Sequence, residues 1–275
     1  MFYPSLKQKG ATASSEVVSA IVSLTVAESK RLIAKGVAAL PEVQQAMKSG
    51  RIVIARGSTN AFVAEEVLGR TIEAKANYAA GLIAEGRLGI NGRRQMMEPY
   101  AIRDGQPVPL SIPEILKEFK ASDVFIKGAN AIDLNGYAGV LLGGEESGTI
   151  GMALPTVTAR GSHLIVPAGL EKLIPSVIEA ANRCGLNRYK YGTGTRVGFM
   201  PVVTGKVVTE IQALEVLTGV SAFHVSSGGI AGSEGGVVLV LEGSEDEVDR
   251  AWQLVSSIKG EAPVAKPLPA LKVEA

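Results

Sequence analysis

The chain's candidate chemistry begins in the stretch "RIVIARGSTNAFVAEEVLG". There an apolar run ends in Arg56, Gly57, Ser58, Thr59 and Asn60 before an amphipathic helical pattern starts. Unpaired backbone N–H groups at a helix start, with two hydroxyls beside them, form an anion site, and Arg56 adds charge. The same hydroxyls serve equally well as plain helix caps. In "KGANAIDLNG", Lys127, Gly128, Asn130 and Asp133 follow a second apolar run. Lys127 and Asn130 are placed to meet a ligand, whereas Asn135-Gly136 reads as a turn. In "LLGGEESGTIGMALP", Glu145 and Glu146 precede another small-residue helix start. A carboxylate in a dry pocket acts as a base or a nucleophile, which makes these two the candidate catalytic acids. Solvated acids favoured by a helix N-terminus are the structural alternative.

Other stretches carry less. His163 and His224 stand alone, with no HxH or HxxxH pair, so no metal site is expected. The single Cys184 excludes an intrachain disulfide and a cysteine metal cage. "YKYGTGTRVG" precedes a strand pattern rather than following one and lacks the dinucleotide spacing, so it reads as a connection. Arg93 and Arg94, beside Met96 and Met97, suggest a substrate loop, a subunit contact or a solvated basic pair.

These corners need elements to hold them. With 275 residues, 46% hydrophobic and 20% charged, the chain can build a sizeable core. A net charge of +1 argues against broad attraction to nucleic acid or anionic membrane. No uninterrupted apolar span reaches membrane length, and the N-terminus lacks a signal-peptide pattern, so a cytoplasmic protein is expected. Residues 1–15 are expected to fray. One helix is expected from Thr25 to Gly50, then a strand over "RIVIA", a helix to Gly69, a strand over "RLGIN" and an irregular segment from Arg93 to Pro109. "SIPEILKEF" is a short helix capped by Ser111, "DVFIKGAN" and "SHLIVPA" are strands, and Pro155 should bend or break the helix of "GTIGMALPTVTARG". "KLIPSVIEAANRCG" should be a helix ended by Gly185.

Strand and helix in alternation predict an α/β fold whose mostly parallel sheet carries helices on both faces, with ligands at the carboxyl ends of the strands. The corners after "RIVIAR", "DVFIKG" and "SHLIVP" then share one site. From about residue 192 the order strand–helix–strand–strand–helix predicts a ferredoxin-like lobe, its last helix opened by the capping box of Ser244 and Glu247. The expected domains are therefore 1–190, 191–260 and an extended tail at 261–275.

At these corners the chain resembles the superfamily of ribose-5-phosphate isomerase, glucosamine-6-phosphate deaminase and the CoA transferases. "SGRIVIARGSTNAFVAEEVLG" is similar to the isomerase opening, and "KGANAIDLNG" resembles a segment of methylthioribose-phosphate isomerases. "HLIVPAGLEKL" resembles the strand that follows, with Lys172 just after it. The resemblance implies a Rossmann-like sheet, with a phosphate held by Gly57, Ser58 and Thr59. The isomerase pattern has acids where this chain has Lys127, Asn130 and Ala131, so its proton-transfer base is not carried over. "EESGTIGM" resembles the glutamate segment of CoA transferases, which implies Glu145 or Glu146 as a nucleophile and admits CoA. No other cofactor is expected. The expected partner is a small anionic metabolite: a sugar phosphate, an organic acid or a CoA ester. Isomerisation or acyl transfer would be the reaction, and a homo-oligomer the assembly. The alternative is a non-catalytic ligand-binding or regulatory protein of the same fold.

Overall fold

A computed structural model describes residues 17–91 and 96–265. Residues 1–15, Arg93, Arg94 and most of the expected tail lie outside the described residues. The chain opens on a strand, β1 (Val18–Leu24), followed by helix α1 (Val26–Ala39). Thr25 and Glu28 close a capping box at its start. The single helix expected from Thr25 to Gly50 is two, because Pro41 opens α2 (Pro41–Ser49) and forces Leu40 into an extended conformation. Next come β2 (Arg51–Ile54) and α3 (Ser58–Leu68), which ends on left-handed Gly69 as expected.

A short hairpin, β3 (Gly81–Ala84) and β4 (Arg87–Ile90), stands apart from the main sheet. The segment read as irregular contains a second hairpin, β5 (Tyr100–Arg103) and β6 (Gln106–Val108), turned by Asp104 and Gly105 at φ 49° and 76°. After α4 (Ile112–Lys117) come β7 (Val124–Ile126), β8 (Ala131–Ile132), β9 (Ala138–Leu142) and α5 (Gly148–Arg160). Helix α5 runs on through Pro155. Beyond β10 (His163–Pro167) the expected single helix is a turn of 3-10 helix at Leu170–Lys172 and then α6 (Val177–Arg183), capped by Ser176. Helix α6 ends at Cys184, which takes an extended conformation, one residue short of Gly185. The chain finishes with β11 (Gly198–Val202), β12 (Lys206–Val208), α7 (Glu210–Thr218), β13 (Ser221–Gly228), β14 (Gly236–Gly243) and α8 (Glu245–Ile258).

The main sheet has the order β12-β10-β7-β2-β5-β6. Its first four strands are parallel and the β5–β6 hairpin is antiparallel. Side chains alternate between two cores. Ile52, Ile54, Val124, Ile126 and Ile165 face Ile33, Val37, Phe62 and Val63 of α1 and α3. Val53, Phe125, Leu164 and Val166 face Ile115 of α4 and Ile150, Ala153 and Val157 of α5. A sheet covered on both faces needs apolar residues at consecutive positions, which is why "RIVI" and "VFI" lack alternation.

The expected C-terminal lobe is divided differently. Strand β11 pairs with β9, and β12 joins the main sheet beside β10. The β13–β14 pair takes β1, from the chain's other end, as its third strand. Strand pairing thus crosses the boundary drawn at residue 190. Val22, Val237, Leu239 and Leu241 of the small sheet share one apolar cluster with Phe125 and Val166 of the large one. Helix α7 lies against α1 so closely that a Cβ on Gly36 would come 2.5 Å from the Cβ of Ala213.

Candidate functional site

The four parallel strands end on the same edge. Strand β2 has the β5–β6 hairpin on one side and the parallel strands β7, β10 and β12 on the other. Residues 55–60, 127–129, 168–172 and 209–210 follow directly after those ends.

At the first corner Asn60 is fully buried and gives its amide hydrogens to the carbonyls of Ala55 (2.7 Å) and Ile126 (3.2 Å). Two carbonyl acceptors fix which end of the amide is nitrogen, so Oδ1 must point the other way. That oxygen is buried without a partner and lies 3.6 Å from where a Cβ of Gly128 would sit. Thr59 is also buried, and its hydroxyl has no partner. Among the described residues, no hydrogen bond engages the N–H groups of Ser58, Thr59 and Asn60 at the start of α3. Gly57 differs: its N–H goes to the carbonyl of Tyr78 at 2.7 Å. Arg56 is also spent, on the carbonyl of Met97 (2.7 Å) and the carboxylate of Glu98 (2.7 Å).

Lys127 stands at the end of β7 and gives a hydrogen bond to the carbonyl of Gly128 at 3.1 Å. The residue keeps some exposure while its ammonium end is densely surrounded. Burial, together with the positive charge of Lys172, pushes its pKa down to about 8. Lys30, on α1, is pushed down to about 8 in the same way, by burial and then by Lys172, with Glu171 opposing. Lys172 itself lies 4.0 Å from Glu171. Lys172 is thus the charge that Lys30 and Lys127 both feel, and Glu171 acts on Lys30 and Lys172 but not on Lys127. Asn130 takes no part, because its Oδ1 accepts the N–H of Leu141 at 3.0 Å and its own N–H bonds Gly139. Asp133 is buried and accepts the N–H groups of Asn135, Tyr137 and Val177, a wholly structural role.

Glu210 opens α7 immediately after β12 and is fully buried. It accepts the N–H of Leu170 at 3.0 Å. A Cβ on Gly169 would come 1.9 Å from Oε2 of Glu171 and 3.1 Å from Oε1 of Glu210, so both carboxyls occupy the space a side chain would fill. Burial, and then the charge of Glu171, pushes Glu210 up to about 7. Ser29, buried beside Glu210, lacks a well-formed hydrogen bond, as does Oε2 of Glu171.

Glu145 and Glu146 are exposed. Glu145 lines a separate cavity of about 570 Å³ with Arg87, Leu186, Asn187, Thr193 and Arg196, which includes none of residues 56–60 or 127–130. Among the described residues no group of three or more metal-ligating side chains occurs, and no helix is long and apolar enough to cross a membrane.

Distances thus join Asn60 to Gly128, Glu171 and Glu210 to Gly169, and Lys172 to Glu171; Ser58, Thr59 and Lys127 lie at the same strand ends, Lys30 and Lys127 feel the charge of Lys172, and Ser29 is buried beside Glu210. Comparison of the chain with protein families, with curated proteins and with solved structures finds no match.

Proposed function

We propose that the protein binds a small anionic metabolite at the carboxyl ends of β2, β7 and β10. The convergence of Lys30, Lys127 and Lys172 carries this reading. Among the described residues no carboxylate pairs with Lys30 or Lys127 at ion-pair distance and Lys172 has only Glu171, at 4.0 Å, so positive charge is left over in a poorly hydrated place. An incoming anion lowers the cost of holding those ammonium groups together. The free N–H groups at the start of α3 add donors of the right polarity. The sequence resemblance supports sugar phosphates, organic acids and CoA esters as the classes to try, and a Rossmann-like reading of the sheet.

Isomerisation or acyl transfer through Glu145 or Glu146 has weaker support, since both are exposed and Glu145 belongs to another cavity. That observation favours the second reading, a non-catalytic ligand-binding or regulatory protein. Thermal shift against inorganic phosphate, sugar phosphates, CoA esters and short organic acids tests the binding. Stabilisation of the wild type should shrink in Lys127→Ala, Lys172→Gln and Ser58→Ala. A ligand that stabilises all three variants as much as the wild type would refute the site.

A further inference from the structure

Two glycine-rich stretches that the strand ends leave unused, "LLGGEESG" and "YKYGTGTRVG", meet at the cavity of about 570 Å³ that Glu145 lines. Its walls are Arg87 on β4, Gly143–Glu145 after β9, and residues 186–187 and 192–196 before β11. These segments are fastened to one another. Leu88 gives its N–H to the carbonyl of Thr193 (3.1 Å), and its own carbonyl accepts the N–H of Thr195 (3.0 Å). Gly194 takes φ 117°, and a Cβ there would fall 2.1 Å from the carbonyl oxygen of Leu88, so only glycine lets the loop lie this close. A Cβ on Gly143 would come 3.0 Å from Cδ1 of Ile90, which seats the other loop against the same strand. Arg87 and Arg196 are each one residue from the Leu88–Thr195 hydrogen bond, and both line the cavity. Every other described arginine is engaged by a carboxylate, a carbonyl oxygen or an aromatic ring. Among the described residues these two guanidinium groups have no such partner.

We propose that this cavity is a second anion site, separate from the strand ends, and that it binds a diphosphate, free or as part of a larger polar molecule. Two guanidinium groups on separate segments match two linked phosphates, each able to accept a bidentate pair of hydrogen bonds. Phosphoryl oxygens need further donors, and the same wall supplies them. The N–H groups of Gly192, Thr193 and Gly194 bond nothing among the described residues, and the hydroxyls of Thr193 and Thr195 lie beside them. Among the described residues no aromatic ring lines the cavity, so a flat apolar group finds no platform there. The volume is that of a small-molecule pocket and exceeds what a diphosphate alone fills. Glu145, the acid on the wall, is an acceptor for a hydroxyl of the larger molecule.

Arginine modification tests this on the full wild-type chain. Phenylglyoxal is applied alone and with inorganic diphosphate, orthophosphate or uridine diphosphate glucose, and the modified arginines are mapped by mass spectrometry. Inorganic diphosphate should protect Arg87 and Arg196 together, and orthophosphate at the same concentration far less. Equal protection by the nucleotide sugar supports the free ion as ligand, and stronger protection supports the diphosphate of a conjugate. Calorimetry separates this cavity from the strand ends. A Lys127→Ala, Lys172→Gln double variant should still bind inorganic diphosphate, and adding Arg87→Gln or Arg196→Gln should weaken that binding about ten-fold or more. Unprotected arginines, protection as strong from orthophosphate, or affinity unchanged by both arginine substitutions would overturn the proposal. Diphosphate binding that vanishes with the two lysines would place the anion at the strand ends, overturning the second site and leaving the first standing.

Discussion

Gly169 and Glu171 share one space: a Cβ on the glycine would fall 1.9 Å from Oε2 of the glutamate. Gly169 has φ −73° and ψ 155°, which alanine adopts freely, so the glycine serves the carboxylate and not the backbone. Gly169→Ala must push Glu171 aside. The atom that yields is the free end of a flexible side chain, so the cost should stay near the low end of overpacking, about 1 kcal/mol. With Glu171 displaced, Lys172 loses its carboxylate and inorganic phosphate should bind several-fold more tightly. Calorimetric titration of the variant beside the wild type checks this, and weaker binding at unchanged stability would contradict it.

Arg31 ties three segments together. Its guanidinium bonds Glu65 (2.7 Å), Glu66 (2.9 Å) and Glu261 (2.8 Å), and it sits 4.8 Å from the centre of the Phe62 ring. Burial opposes its charge, and these three carboxylates more than offset that, holding the pKa above its ordinary value. Arg31→Ala leaves Glu65 buried with only the N–H of Ile72 and Lys75 Nζ at 2.9 Å. Because Lys75 remains, the loss should lie toward the lower end of the roughly 3–5 kcal/mol seen on breaking a buried pair. Urea denaturation reads it, and a loss below about 1 kcal/mol would mean that the network is mostly solvated.

Asn60→Asp probes the corner where β2 and β7 part. Aspartate keeps the shape but replaces Nδ2 and its two N–H donors with one oxygen, facing the carbonyls of Ala55 and Ile126. The buried carboxyl is forced to hold a proton, which restores one of the two donors, and the loss of the other with the cost of that protonation should come to about 2–4 kcal/mol. Asn60→Ala should cost less, since it removes the donors without adding charge. Chemical denaturation of the two variants decides the order, and equal losses would show that only the side-chain volume matters.

Much of this architecture was legible in local chemistry. The caps at Thr25, Ser111 and Ser244 were readable because each pairs with a glutamate three residues on. The buried strands at 51–54 and 124–126 announced themselves as unbroken apolar runs. Strand β1 did not, because "VSAIVSL" pairs with β14 more than 200 residues later and its pattern has no local meaning. The placing of the lysines was half legible. Lys127 follows a strand and Lys172 a strand-like run, but Lys30 lies in mid-helix. Glu210 reads as an ordinary acid at a helix start. Only the packing of α1 against α7, and the placing of β12 beside β10, turn these into buried neighbours.

Glu210 gives the sharpest dependence on pH. Its ordinary value is 4.5, and burial, then Glu171, raises it to about 7 in the folded chain. A group raised on folding binds its proton more tightly in the folded state. Its contribution is therefore complete below the unfolded value and lost as pH rises through the folded one. Stability from Glu210 should fall between pH 4.5 and about 7, with a limiting slope of about 1.4 kcal/mol per pH unit for one proton. Lys30 and Lys127 act in another window. Their values are lowered from 10.5 to about 8, so what they contribute is present above 10.5 and lost as pH falls through about 8. Glu210→Gln keeps an acceptor for the N–H of Leu170 and cannot ionise. The variant should match the wild type near pH 4.5 and exceed it at pH 8, where Glu210 is forced to carry charge beside Glu171. Denaturant unfolding of both proteins at half-unit steps gives the difference curve. A difference that stays constant from pH 4.5 to 8 would show that Glu210 ionises freely and that the two carboxyls do not compete for a proton.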